Sequence, residues 1–147
     1  LVDGEWKGFR AKDGRPLYTR NSAAYESCMK ADKLWDAGKM DETLRLLEQA
    51  VRLDPGFTDV WLGLFELHRD EYSSVRDRSE RRAALAWQAL EKARGLELDN
   101  PLYHLNLGGW YHCFKTEYRL AEEELLQAER GRPGDPTILY ALNLSAK

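Results

Sequence analysis

Three histidines, His68, His104 and His112, two cysteines, Cys28 and Cys113, and a run of arginines at 76, 78, 81 and 82 are the side chains that could do chemistry. A zinc centre would need three or four of the His and Cys ligands to converge. His104 and His112 fall eight residues apart on one expected helix, a rise of about 12 Å, too far for one ion. His112 and Cys113 are adjacent, and Cys28 lies in a different helix, so no metal or disulfide spacing forms. The cysteines read as reduced thiols of a cytoplasmic protein, and the histidines as helix-packing or half-exposed groups. No phosphate-cradling glycine loop is present, because Gly108-Gly109 sits inside a helical pattern. The carboxylates lie on solvated helix faces, where choosing two for acid–base work would be arbitrary. These absences point away from an enzyme and from any cofactor.

The arginine run comes closest to a nucleic-acid patch, but Asp77 and Glu80 interleave it. The whole chain carries 22 basic against 25 acidic residues, a net charge of −3, which offers no bulk attraction to a polyanion. Charged residues make up 32% and hydrophobic residues 43% of 147 positions, a helical, water-facing balance. No apolar run reaches the roughly 18 residues a membrane span needs. The first residue is Leu, so the sequence is consistent with a fragment.

What positions these side chains is a recurring stretch. Ala31 to Pro55, ADKLWDAGKMDETLRLLEQAVRLDP, sets a small residue at Ala31, a large one at Leu34, a turn at Gly38, then Leu47 and Ala50 before Pro55. The frame returns from Thr58, with Trp61 and Leu64, then Ala86, Leu90 and Ala93. It returns again from Pro101, with Leu107-Gly108 and Tyr111, then Ala121, Leu125, Ala128 and Pro133. Small residues let two helices approach and large ones fill the space beside them, so the pattern describes a packing geometry. The second helix, Asp41 to Leu53, sets Leu44, Leu47 and Val51 on one face with Leu46, Ala50 and Leu53 beside it. So wide an apolar face requires stacked neighbours.

The repeat resembles the tetratricopeptide repeat, a helix–turn–helix unit of about 34 residues. Thr43 stands where that family has a small Ala, and Ser27, Lys30, Phe65 and His68 also depart from it. The resemblance implies an all-α fold, a right-handed superhelix of about three helix–turn–helix repeats plus a C-terminal helix. The expected division is an arm over 1–20 and a repeat domain over 21–147, with repeats near 24–57, 58–100 and 101–135 and then a helix over 136–147 that is either a terminal, solvating cap or the truncated first half of a fourth repeat.

Along the chain, the arm EWKGFRAKDGRPLYTR carries Trp6, Phe9 and Tyr18 around Asp13-Gly14. A hairpin there is weakened by Pro16, and an irregular cap over the first helix pair competes with a loose tail. Asn21 or Ser22 caps the first helix, which should run to about Ala37. The second repeat is longer by about nine residues than the family's unit. The excess lies in EYSSVRDRSER, Glu71 to Arg81. The third has one extra residue near Lys115-Thr116, and its second helix should open at Glu122-Glu123-Glu124, where negative charge meets the helix dipole. Asp135-Pro136 opens a last helix, to about Ala146, with no partner in the chain and with Tyr140 and Leu144 apolar.

In the family, first helices line a concave groove that holds a peptide or helix. Carried over position by position, the resemblance implies groove residues Tyr25, Cys28, Asp32, Trp35 and Asp36 from the first repeat. The second contributes Asp59, Leu62, Glu66, Arg69 and Asp70, and the third Leu102, Leu105, Gly109, His112 and Cys113. The two-carboxylate clamp of some members is not matched, since only Asn106 fits it. Acids outnumber bases in the first two thirds, so the groove should prefer a peptide with Lys or Arg near one end and an apolar side chain near Leu102 and Leu105. The expectation is a non-catalytic protein-interaction module, an adaptor, scaffold or chaperone-like protein with a protein or peptide partner, without nucleic acid or membrane. The alternative is an assembly module, including a homo-oligomer, joined through its last helix.

Overall fold

The computed structural model describes residues 19–74, 76–97 and 99–145. The expectations for the arm, apart from Thr19 and Arg20, fall outside them, as does Ala146. The described residues form α1 (Ser22–Asp36), α2 (Met40–Leu53), α3 (Thr58–Ser73), α4 (Glu80–Leu96), α5 (Pro101–Trp110), α6 (Tyr118–Gly131) and α7 (Pro136–Ser145). A π-helical turn, Tyr111–Lys115, extends α5. No strand occurs among the described residues. The fold is all-α and built from helical hairpins, and its compact units are Leu1–Leu64 and Phe65–Lys147.

In the first unit, α1 and α2 pair through small residues: Ala24, Ala31, Thr43 and Ala50 are all fully buried. Thr43 substitutes for alanine without an unmet polar group, because its hydroxyl donates to the Lys39 carbonyl at 2.8 Å. Asn21 caps α1 by accepting from the Ala24 N–H at 2.9 Å, while its amide donates to the Leu53 carbonyl at 3.1 Å. Thr19 Oγ1 donates to Asp54 Oδ2 at 2.5 Å beside it. The start of α1 is thereby tied to the end of α2, which closes the hairpin opposite the Gly38 turn, where φ is +75°.

In the second unit, α5 and α6 form the tightest pair. Asn100 caps α5, accepting from the Leu102 N–H at 2.8 Å, with Pro101 in the first turn, where the missing N–H costs nothing. A methyl group on Gly108 would stand 2.9 Å from Leu125 Cγ and Cδ2, and one on Gly131 would stand 2.5 Å from the Pro101 ring. These glycines set the interhelical distance, and Ala121, Leu125 and Ala128 are buried along the seam.

Two expectations are corrected. The second helix of the third repeat opens at Tyr118 rather than at the glutamates, and its first turn holds no acid. Thr116, in the left-handed region at φ +52°, turns the chain back early. The glutamates then act one turn further on, Glu123 on Arg119 at 2.5 Å and Glu124 on His104 Nδ1 at 2.7 Å. Nor is the last helix without a partner, since α7 packs on α6 and buries Ile138 completely.

Candidate functional site

Within the second unit the C-terminal part of α3, α5 with its π-helical turn, and α7 surround a cleft of about 430 Å³, floored by Leu125 of α6. That volume falls in the range of small-ligand and peptide side-chain sites. Its wall is mostly apolar, from Leu105, Leu125, Tyr140, Ala141 and Leu144, with Glu66, Arg69 and His112 as its charged or imidazole groups beside the Cys113 thiol. Arg69 is held by its neighbour Asp70 at 3.3 Å, both side chains remaining partly exposed.

Of the expected groove residues in this unit, Glu66, Arg69, Leu105, Gly109, His112 and Cys113 line the cleft, whereas Asp70 and Leu102 do not. In the first unit, Tyr25, Asp32, Trp35 and Asp59 are half-buried and Asp36 is exposed. Cys28 and Leu62 are core, 8% and 3% exposed. Asp32, Asp36, Asp59 and Glu66 each already interact with another group of the protein, so a cationic ligand must compete for them.

The family frame stopped one helix short. Counting Pro136 as the first position of a further repeat, as Pro101 is of the third, places Thr137, Tyr140 and Leu144 at the groove positions, and all three line the cleft. Asp135-Pro136 was the available signal. Asn106, 2% exposed, also lines it.

The π-helical turn absorbs the extra residue of the third repeat. It leaves His112 and Cys113 on the cleft wall and sends Phe114 to the other side. There Phe114 stacks on Trp110 (centroids 4.6 Å) and Tyr72 (4.4 Å), and Trp110 meets Trp87 (4.9 Å). Lys115 and Arg78 sit over the Trp110 and Tyr72 rings at 5.6 and 5.5 Å. The aromatic ladder anchors the back of the turn, so the front holds its shape.

The inserted residues between α3 and α4 are likewise tied down. Ser79 caps α4, accepting from the Arg82 N–H at 3.1 Å. Arg82 Nε donates to Asp77 Oδ2 at 3.1 Å and its Nη1 to His68 Nδ1 at 2.8 Å. A guanidinium can only donate, so His68 must present a bare Nδ1 and remain neutral. Burial, then the adjacent Arg82 and Arg81, lower its pKa to about 4. Hydrogen bonds from Ser79, with help from Arg82, hold the Asp77 carboxyl below its ordinary value. This is a structural clasp that ties the residues around Asp77 to both α3 and α4.

Among the described residues no cluster of His, Cys, Asp and Glu is arranged to hold a metal ion, and no helix is long and apolar enough to cross a membrane. No protein-family model and no curated protein sequence matches the chain. Solved structures do. A mutant O-GlcNAc transferase of Thermobaculum terrenum is similar at TM-score 0.71 and 19% identity, covering 88% of this chain and 23% of that one. The first TPR of Spaghetti (RPAP3), bound to the HSP90 peptide SRMEEVD, is similar at 0.65 and 14%, covering 88% and 94%. The Yersinia enterocolitica type III secretion chaperone SycD, in complex with a peptide of the translocator YopD, is similar at 0.60 and 15%, covering 82% and 90%. The chain thus spans less than a quarter of the transferase but nearly the whole of the other two.

Proposed function

We infer that this chain, which has the fold of a tetratricopeptide-repeat protein, is a non-catalytic interaction module of adaptor, scaffold or chaperone type that binds a protein segment in the cleft between α3, α5 and α7. The observation that carries the reading is the cleft itself: apolar-walled, partly polar at one side, and lined by six residues that the repeat frame assigned to a groove. The two neighbours matched over most of their length were both solved with a peptide bound, which supports the same reading.

The ligand is a short segment with an apolar side chain for Leu105, Tyr140 and Leu144 and a Lys or Arg drawn by Glu66. Asp32, Asp36 and Asp59 of the first unit add negative charge that steers and selects a basic ligand rather than forming a pocket. A peptide array read with the wild type, Asp36→Lys and Leu105→Glu tests this. Both substitutions should weaken basic–apolar hits, Leu105→Glu by about tenfold or more, the cost of burying a charge against an apolar side chain. Unchanged binding by Leu105→Glu would remove the cleft as the site, and unchanged binding by Asp36→Lys would remove the basic preference.

A second reading, assembly with another chain or a second copy through α7, is favoured by one observation: Leu139 is 47% exposed and does not line the cleft. Light scattering across a concentration series separates it from the first.

A further inference from the structure

We propose that Cys113 is a thiol-modification site that takes a small, amide-bearing zwitterionic thiol in mixed-disulfide linkage, the adduct lying in the α3–α5–α7 cleft. Neither cysteine is in a disulfide, but they differ in setting: Cys28 is core, whereas Cys113 is half-exposed and lines the cleft. Its Sγ lies 3.9 Å from His112 Nδ1, on the same π-helical turn, where the ring nitrogen is placed to take up the thiol proton.

The second observation is Asn106. It is 2% exposed, lines the same cleft, and donates its amide N–H to the Leu102 carbonyl at 2.7 Å. Its Oδ1 accepts from no group among the described residues. A buried acceptor left unmade is costly, so this oxygen calls for an N–H donor from a ligand. A peptide amide supplies one and a hydrocarbon adduct does not. Arg69 and Glu66, on the facing helix, offer one charge of each sign to the carboxylate and ammonium of such a molecule. The cleft, at about 430 Å³, is of the size that holds a drug-sized group.

The step is thiol–disulfide exchange. The Cys113 sulfur attacks one sulfur of a symmetrical disulfide, the new S–S bond forms as the old one breaks, and the other half leaves as a thiolate. The Cys113 proton passes to His112 and then to the leaving thiolate or to water. The disulfide is the oxidant, and no other reactant is consumed.

An adduct there would exclude a protein segment, a consequence that rests on the binding reading above, whereas the site does not. The test uses the full chain with oxidised glutathione and, separately, with 2-hydroxyethyl disulfide, which has no amide or charge. Adducts are located by mass spectrometry of a digest. The expected result is modification at Cys113 with Cys28 unmodified. The glutathione rate, relative to the hydroxyethyl rate, should exceed the same ratio for the chain in urea by about tenfold. Asn106→Ala and Arg69→Gln should each reduce that ratio several-fold, with folding checked by circular dichroism.

An equal ratio in folded and urea-unfolded wild type overturns the proposal without recourse to any variant, as does a Cys28 adduct formed at the same rate. Peptide affinity of the chain before and after modification is the separate readout. Loss of affinity on modification supports both readings, and an adduct on a chain that binds no peptide in either state overturns the binding reading alone.

Discussion

Gly108 and His68 mark the two ends of what a single residue reveals. Gly108 was legible in the sequence because the pattern demanded a small residue facing Leu125, and the helices meet there with no room for a methyl group. Gly108→Ala should destabilise the chain by about 1–3 kcal/mol, the range for overpacking a close contact, read as a fall in the urea midpoint at unchanged slope. His68 was illegible, since it merely departed from the pattern and its partner lies 14 residues on. Its pKa in the folded chain, about 4, stands below the 6.5 of a free imidazole. Between those values the unfolded chain binds the additional proton. Stability from this group is therefore full above about pH 6.5, falls as the pH drops toward 4, and is flat below. Arg82 and Arg81 oppose the charged form and Asp77 favours it. The loss across that window is about 3 kcal/mol, for a side chain 4% exposed. Unfolding by urea at several pH values should show this slope in the wild type and lose it in His68→Gln, whose amide oxygen can still accept from Arg82.

At the scale of elements, helix starts follow local chemistry: Asn21, one of the two residues the sequence offered, caps α1, and Ser79 and Asn100 cap the helices they precede. The irregular join between α5 and α6 was not legible in the sequence. Counting against the repeat exposed one extra residue near Lys115-Thr116, but spacing cannot say whether a surplus residue widens a turn or enters the helix as a π-helical turn. Side chains from elsewhere decide it: Phe114 finds Trp110 and Tyr72, and the turn is held in the wide geometry by that stack. The return to α6 then falls on Thr116 at φ +52°, a conformation a β-branched residue adopts at a cost of about 1–2 kcal/mol. Thr116→Gly relieves that strain and should raise stability by about 0.5–1 kcal/mol once the greater freedom of unfolded glycine is subtracted. Chemical denaturation measures it, and a loss of stability would mean that the Thr116 hydroxyl bond to the Lys115 carbonyl, 2.6 Å long, outweighs the strain.

For the molecule as a whole, helical class and hairpin pairing could be read from the repeat, while the groove could be read only as far as the frame was carried. The groove positions were projected over three repeats only, which left α7 out of them, yet one face of it walls the cleft. That division of α7 makes the two functional readings separable by single substitutions. Tyr140 and Leu144 serve the cleft, and Leu139 does not. All three are exposed by two fifths or more, so a charge at any of them enters no packed core. If the cleft is the working surface, Tyr140→Glu should weaken segment binding by about tenfold, since a carboxylate there faces Leu105 and Leu125. Leu139→Glu should leave affinity unchanged, and the chain should scatter light as a monomer throughout. If α7 is instead an assembly surface, Leu139→Glu should lower a concentration-dependent mass that the wild type shows, because a charge at the centre of an apolar contact leaves it unpaired on association. Fluorescence titration of a labelled basic–apolar peptide and light scattering on the same three proteins measure both quantities. The crossed pattern, binding lost only with Leu139→Glu, would place the ligand on the outer face of α7 and sink the cleft as the site.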